Sequence, residues 1–92
     1  MSACAYCGVR RAIHDDHVIP KAVLKRYKHL TIPAELREVV GACGPCNWLK
    51  STRKLVPPSW ADRLPALREL IPGDWRIWYG DVREPAFRSV HQ

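Results

Sequence analysis

The sequence predicts a small α+β domain stapled by a four-cysteine zinc site, with a C-terminal helix and a short strand packed on it. Three observations carry this. All four cysteines fall in two CxxC pairs, Cys4-Ala-Tyr-Cys7 and Cys43-Gly-Pro-Cys46. The segment carried between them is longer than that of a simple zinc ribbon, so it must fold as more than a turn. A chain of 92 residues also buries only a limited fraction of its surface, which makes a staple expected.

Taken in order, Cys4 to Gly8 reads as a zinc knuckle, with glycine freeing the backbone to turn beneath the metal. Val9 to Ile19 predicts a pair of short extended segments, stopped by Pro20. That proline can occupy the first turn of a short helix, Lys21 to Lys28, where Val23, Tyr27 and Leu30 recur at helical spacing and the opposite side is basic. Thr31-Ile32-Pro33 breaks this helix, and Pro33 opens another turn through Ala34 to Arg37. Glu38 to Ala42 is a short apolar run, read as a strand that delivers Cys43. Gly44 and Pro45 form the second knuckle. Asn47 to Arg53 lacks breakers and predicts a helix, with Asn47 in its first turn and Lys50 one turn later on the same face.

Beyond Leu55-Val56-Pro57-Pro58, Ser59 and Asp62 make a capping-box arrangement that predicts helix over Trp60 to Leu70, kinked or divided by Pro65. Leu64, Leu67 and Ile71 form an apolar stripe for packing on the zinc domain. Trp75 to Tyr79 predicts a strand with Gly80-Asp81 as its turn, and Glu84 to Gln92 a loosely ordered tail. The organisation expected is a zinc-stapled core over residues 1–56 and a helical and aromatic extension of the same domain over 57–92. Trp48, Trp60, Trp75, Trp78 and Tyr79 offer faces for stacking on bases, although core is the more usual use of aromatics at this density.

Cysteine usage also bears on compartment. Met1-Ser2-Ala3-Cys4 opens without the charged head and apolar stretch of a signal peptide, and no stretch approaches the length of a membrane span. A cytoplasmic, reducing setting is expected, in which paired CxxC units serve as zinc ligands more often than as disulfides. A thioredoxin-like redox role competes, but no strand-helix-strand frame surrounds either pair. The formal charge of +6 is carried by the first 54 residues, which hold ten Lys or Arg against four Asp or Glu, while the remainder cancels. Lys21, Lys25, Arg26 and Lys28 on one side, and Lys50, Arg53 and Lys54 on the other, flank the central motif as a phosphate-binding surface requires. The same lysines would also serve simply to solvate helix faces.

That central motif is His14-Asp15-Asp16-His17. Asp16 is a hard anionic oxygen ligand and the Asn47 side-chain carbonyl a hard neutral one, so together they favour Mg²⁺ or Mn²⁺ over zinc. His17 is suited to be a general base near neutral pH. Neighbours in a regular strand point to opposite faces, so Asp16 and His17 can converge on one phosphate only if the backbone leaves strand geometry there. His14 and Asp15 offer further ligand choices that spacing does not separate, and a polar turn with a capping aspartate is the bland alternative.

CxxC, Asp16-His17-Val18-Ile19-Pro20 and Cys43-Gly-Pro-Cys46-Asn47-x-x-Lys50, in this order, resemble the HNH endonucleases in their zinc-bound four-cysteine form, and small phage-encoded members in particular. The resemblance covers about residues 4 to 50. It implies a ββα-metal fold, with Asp16 as a metal ligand, His17 as the general base and Asn47 as the second ligand, all three catalytic. Cys4, Cys7, Cys43 and Cys46 would hold structural Zn²⁺, and Lys50 would approach a phosphate. Asparagine at position 47 is similar to Holliday-junction resolvases of the endonuclease VII type. The middle asparagine of the family, which organises the loop, is replaced here by Glu38, which accepts the same backbone bonds but cannot donate them.

The function expected is metal-dependent hydrolysis of DNA phosphodiesters. DNA is the expected partner, and phage packaging proteins or a second copy of the chain are further candidates. The alternative is a non-catalytic zinc-stapled nucleic-acid-binding or packaging accessory module.

Overall fold

The computed structural model describes residues 2–50 and 53–78. Tyr79, the Gly80-Asp81 turn, the tail from Glu84 and positions 51 and 52 of the expected second helix lie outside the described residues. Among the described residues, four strands and three α-helices alternate along the chain, so the domain is α+β with two small sheets. No helix among the described residues is long and apolar enough to cross a membrane.

The chain opens as a knuckle. The Gly8 amide donates to the Cys4 carbonyl at 2.9 Å, and Gly8 takes a left-handed φ of 69°, a conformation costly to any residue with a Cβ. An isolated antiparallel bridge, Ala3 to Arg11, and then strand β1, His14–His17, account for the two extended segments. Pro20 caps helix α1, Lys21–Arg26, by accepting the amides of Val23 and Leu24 through its carbonyl. This helix ends at Arg26, two residues short of the expected Lys28, with Lys25 and Arg26 in its last turn where cations offset the helix dipole. Val23 and Leu24 of this helix, and Tyr27 and Leu30 just beyond it, lie against the main core. A single 3₁₀ turn at Ala34–Leu36 follows Pro33 and buries Leu36.

Strand β2, Val39–Ala42, pairs antiparallel with β1 in the register His14 to Ala42 and Asp16 to Val40. Gly41 is required there, because a Cβ would sit 2.7 Å from the Ala12 Cβ. Helix α2 spans Gly44–Lys50 and packs on β1. It starts three residues before the expected Asn47, since Pro45 is well suited to a first helical turn, so the second knuckle and the helix are one structure.

The expected helix from Trp60 is a 3₁₀ stretch, Pro58–Arg63, followed by helix α3, Leu64–Leu70. Ser59 makes no capping bond. Pro58 already sits at the start, and Pro65 lies in the first turn of α3, where its missing amide is no loss. Strands β3, Leu55–Val56, and β4, Arg76–Ile77, pair in parallel, so the chain returns to the segment that follows the second cysteine pair.

Two apolar clusters result. The larger joins Val18, Ile19, Ile32 and Leu36 to Trp60, Leu64, Leu67, Ile71 and Trp75. The smaller surrounds the cysteines with Tyr6, Ala42, Leu49 and Trp78. Three tryptophans are therefore core, and Trp48 alone among the four is largely exposed, at 70%.

Glu38 ties these parts together. Its Oε1 accepts from Trp60 Nε1 at 2.7 Å and from Arg63 at 2.8 Å, while Arg63 also donates to the Glu35 carbonyl. The Trp60 hydrogen bond, and then Arg63, hold the Glu38 carboxyl below its ordinary value of 4.5. A carboxyl depressed in the folded state contributes stability that is present above its unfolded pKa and is lost as pH falls through its folded one. Glu38→Gln is therefore expected to lower the melting temperature at pH 7. The gap to the wild type closes as pH falls below about 4.5, which thermal melts across an acid series would read.

Candidate metal centre and adjoining cleft

Two sequence-distant knuckles meet. One sulfur each from Cys4, Cys7, Cys43 and Cys46 lies within 4.8 Å of all the others, and Cys7 Sγ is 3.9 Å from Cys43 Sγ. No disulfide forms among them. Four thiolates around zinc at about 2.3 Å would stand about 3.8 Å apart at the corners of a tetrahedron, so the observed spacing fits a metal such as zinc. The Tyr6 amide donates to Cys4 Sγ at 3.4 Å, a bond that offsets thiolate charge.

The electrostatics of Cys4, Cys43 and Cys46 point the same way. The hydrogen bond from Cys46 pulls the Cys4 thiol down to about 4, whereas the same bond, followed by burial, pushes Cys46 far up. Burial also raises Cys43. With Cys4 ionised, Cys43 and Cys46 resist ionisation, because they are buried and a second negative charge would sit beside the first. A divalent cation removes that conflict and lets all four act as thiolates.

Beside the cluster is a cleft of about 320 Å³ lined by Asp15, Asp16, His17, Pro20, Lys21, Asn47 and Lys50. Asp16 and His17 reach it from the end of β1, and Asn47 and Lys50 from successive turns of α2. The strand stops at His17, and this lets two adjacent side chains line one cavity. Asp16, His17 and Asn47 are partly buried, and Asp15 and His14 are exposed. His14 does not line the cleft; its Nε2 lies near Gly44 instead.

Lys50 is placed differently from the phosphate-facing position expected. Its side chain is only 5% exposed and its ammonium donates to Asp16 Oδ2 at 2.8 Å, the His17 carbonyl at 3.0 Å and the Val18 carbonyl at 2.8 Å. These bonds use all three protons of the ammonium. Burial pushes Lys50 down from its ordinary value while Asp16 pulls it back up. The cation therefore braces the backbone where β1 ends. Lys21, Lys25, Arg26, Lys28, Arg53 and Lys54 remain on the exposed surface.

Sequence reasoning missed Tyr6, which it treated only as the filler of a knuckle. Its ring is buried edge-on against Trp78, and its hydroxyl donates to Asp16 Oδ2. Burial, and then the bond to Asp16, raise the Tyr6 hydroxyl far above its ordinary value, so it stays protonated and acts as a donor. Nothing in the local sequence signals this, since the contact joins two segments that pair through β2.

Two outcomes are expected. Cys43→Ser and Cys46→Ser should each abolish metal binding by the cluster and unfold the domain, as read by metal content and circular dichroism. Lys50→Ala, which leaves the largely buried Asp16 carboxylate without its cation, should destabilise the fold by roughly 3 kcal/mol, and Lys50→Met should not rescue it fully; urea unfolding would measure both. Protein-family models, curated proteins and solved structures contain no match to the chain.

Proposed function

We propose that the chain is a metal-dependent DNA endonuclease of the HNH kind. In this reading β1, β2 and α2 form its ββα-metal unit, the four cysteines hold structural zinc, and Asp16 and Asn47 hold Mg²⁺ or Mn²⁺. The observation that carries it is the convergence of Asp16, His17 and Asn47 on one cleft next to the cysteine cluster. A carboxylate and a carboxamide without sulfur suit a hard divalent ion. Such an ion, when bound, supplies charge stabilisation at the phosphate and the leaving oxygen.

The remaining work falls to the chain's own residues. His17, partly exposed at the strand end, accepts a proton from the attacking water. Lys21 lines the cleft, and Lys25, Arg26 and Lys28 continue the exposed basic surface along and just past α1, where they attract the phosphate backbone without reading sequence. Lys50 contributes by shaping the cleft floor. Phosphate contact falls to the exposed cations.

Two observations favour the second reading, a non-catalytic zinc-stapled module that binds nucleic acid or a packaging partner. Asp16 Oδ2 already takes two donors, and Glu38, at the position of the loop-organising asparagine, is spent on Trp60 and Arg63. Supercoiled plasmid incubated with the protein in Mg²⁺ or Mn²⁺, against an EDTA control, separates the two. Nicking that requires the ion, and that falls at least about 100-fold in His17→Ala with metal content and DNA binding retained, is the expected result. Cleavage by His17→Ala at the wild-type rate would reject the assigned base, and binding without cleavage under either ion would favour the module.

A further inference from the structure

We propose that Tyr6 is a positioning residue for Asp16 and couples the first cysteine knuckle to the cleft, a role whose chemical purpose rests on the nuclease reading above. Tyr6 sits between two of the four clustered cysteines, and its amide bonds to one of their sulfurs at 3.4 Å. Its backbone position is thus set by the same atoms that can hold the structural metal. The ring is 2% exposed, edge-on to Trp78 with centroids 6.2 Å apart, and the Lys50 ammonium lies 5.5 Å from its centroid. A phenol has two side-chain torsions, and packing on both sides holds them, so the hydroxyl is delivered to one place.

That place is Asp16 Oδ2, which also accepts from Lys50 at 2.8 Å. Two donors from different directions fix the plane of the carboxylate. Neither of them uses Oδ1, which becomes the oxygen available to a cation. Phenylalanine would fill the same core volume, so the hydroxyl is explained by what it does to Asp16 and not by packing. Metal ligands held in this way by outer partners lose affinity when the partner is removed, typically by about 10- to 100-fold.

The test uses the full chain loaded with zinc and titrated with Mn²⁺ by electron paramagnetic resonance, taking as the cleft site the one abolished in Asp16→Ala. Tyr6→Phe is expected to keep its zinc and to bind Mn²⁺ about 10- to 100-fold more weakly. Mn²⁺ affinity within twofold of the wild type would overturn the proposal. If the wild-type cleft takes no Mn²⁺, the nuclease reading fails by itself, and a thermal double-mutant cycle between Tyr6→Phe and Asp16→Ala decides the coupling. Losses that simply add would overturn it, and losses that do not add uphold it. If Tyr6→Phe does not retain zinc, the wild-type hydroxyl proton is followed by NMR. Slow exchange that disappears in Asp16→Ala upholds the bond to Asp16, and slow exchange that survives overturns it.

Discussion

Four sulfurs brought within 4.8 Å of one another set the geometry from which the rest of the domain follows. Thiolates this close repel strongly in an apolar surrounding, and a cation between them turns the repulsion into attraction. A metal bound there would also offset the cost of closing the long loop between the knuckles, because metal affinity in such a site is folding free energy. Each knuckle then delivers something beyond its sulfurs. The first carries Tyr6 inward. The second continues directly into α2, so that Cys43 accepts the Asn47 amide at 3.0 Å and orients the helix that brings Asn47 and Lys50 to the end of β1.

Lys50 shows how the cleft is kept in shape. Burying an ammonium is costly, and the cost is tolerated here because one carboxylate and two carbonyls take all its protons. Those carbonyls belong to His17 and Val18, where the chain turns out of the strand. The lysine therefore sets the backbone path that allows Asp16 and His17 to share a cavity in spite of being neighbours. Asp16 serves two partners at once: it compensates the buried cation and it faces the cleft. Tyr6, neutral and protonated, shares that load without adding charge.

What was legible in the sequence was chiefly what has local cause. Pro20 and Pro33 stop and start elements by removing an amide and fixing φ, and both do so where expected. The cysteine spacing identified the cluster, and the grouping of Asp16, His17 and Asn47 in one cleft could be read from their positions beside it. Less legible were effects of tertiary context. Ser59 and Asp62 have the pattern of a cap, yet the preceding prolines begin a 3₁₀ path that leaves no use for it. Lysine is nearly always exposed, so nothing in the sequence distinguishes the buried Lys50 from the exposed Lys54. Trp48 and Trp60 look alike as residues, but Trp60 is buried and donates to Glu38, whereas Trp48 lies at the surface.

The C-terminal segment completes this arrangement from the outside. Its two ends reach different parts of the first half: Trp60 and Arg63 hold Glu38, while Trp78 closes over Tyr6. The Glu38 carbonyl in turn accepts the Val18 amide, which follows the cleft residues directly. The parallel pairing of β3 with β4, with Trp78 donating to the Val56 carbonyl at 2.8 Å and Arg76 to that of Lys54 at 2.9 Å, keeps both ends in register with the second knuckle's helix. The strand exit is thus held from within by Lys50 and from without by Glu38, and Tyr6 is held by the cysteine knuckle on one side and Trp78 on the other. Residues 57–78 act as a brace for the same few atoms that line the cleft, which accounts for their aromatic content without calling on base stacking.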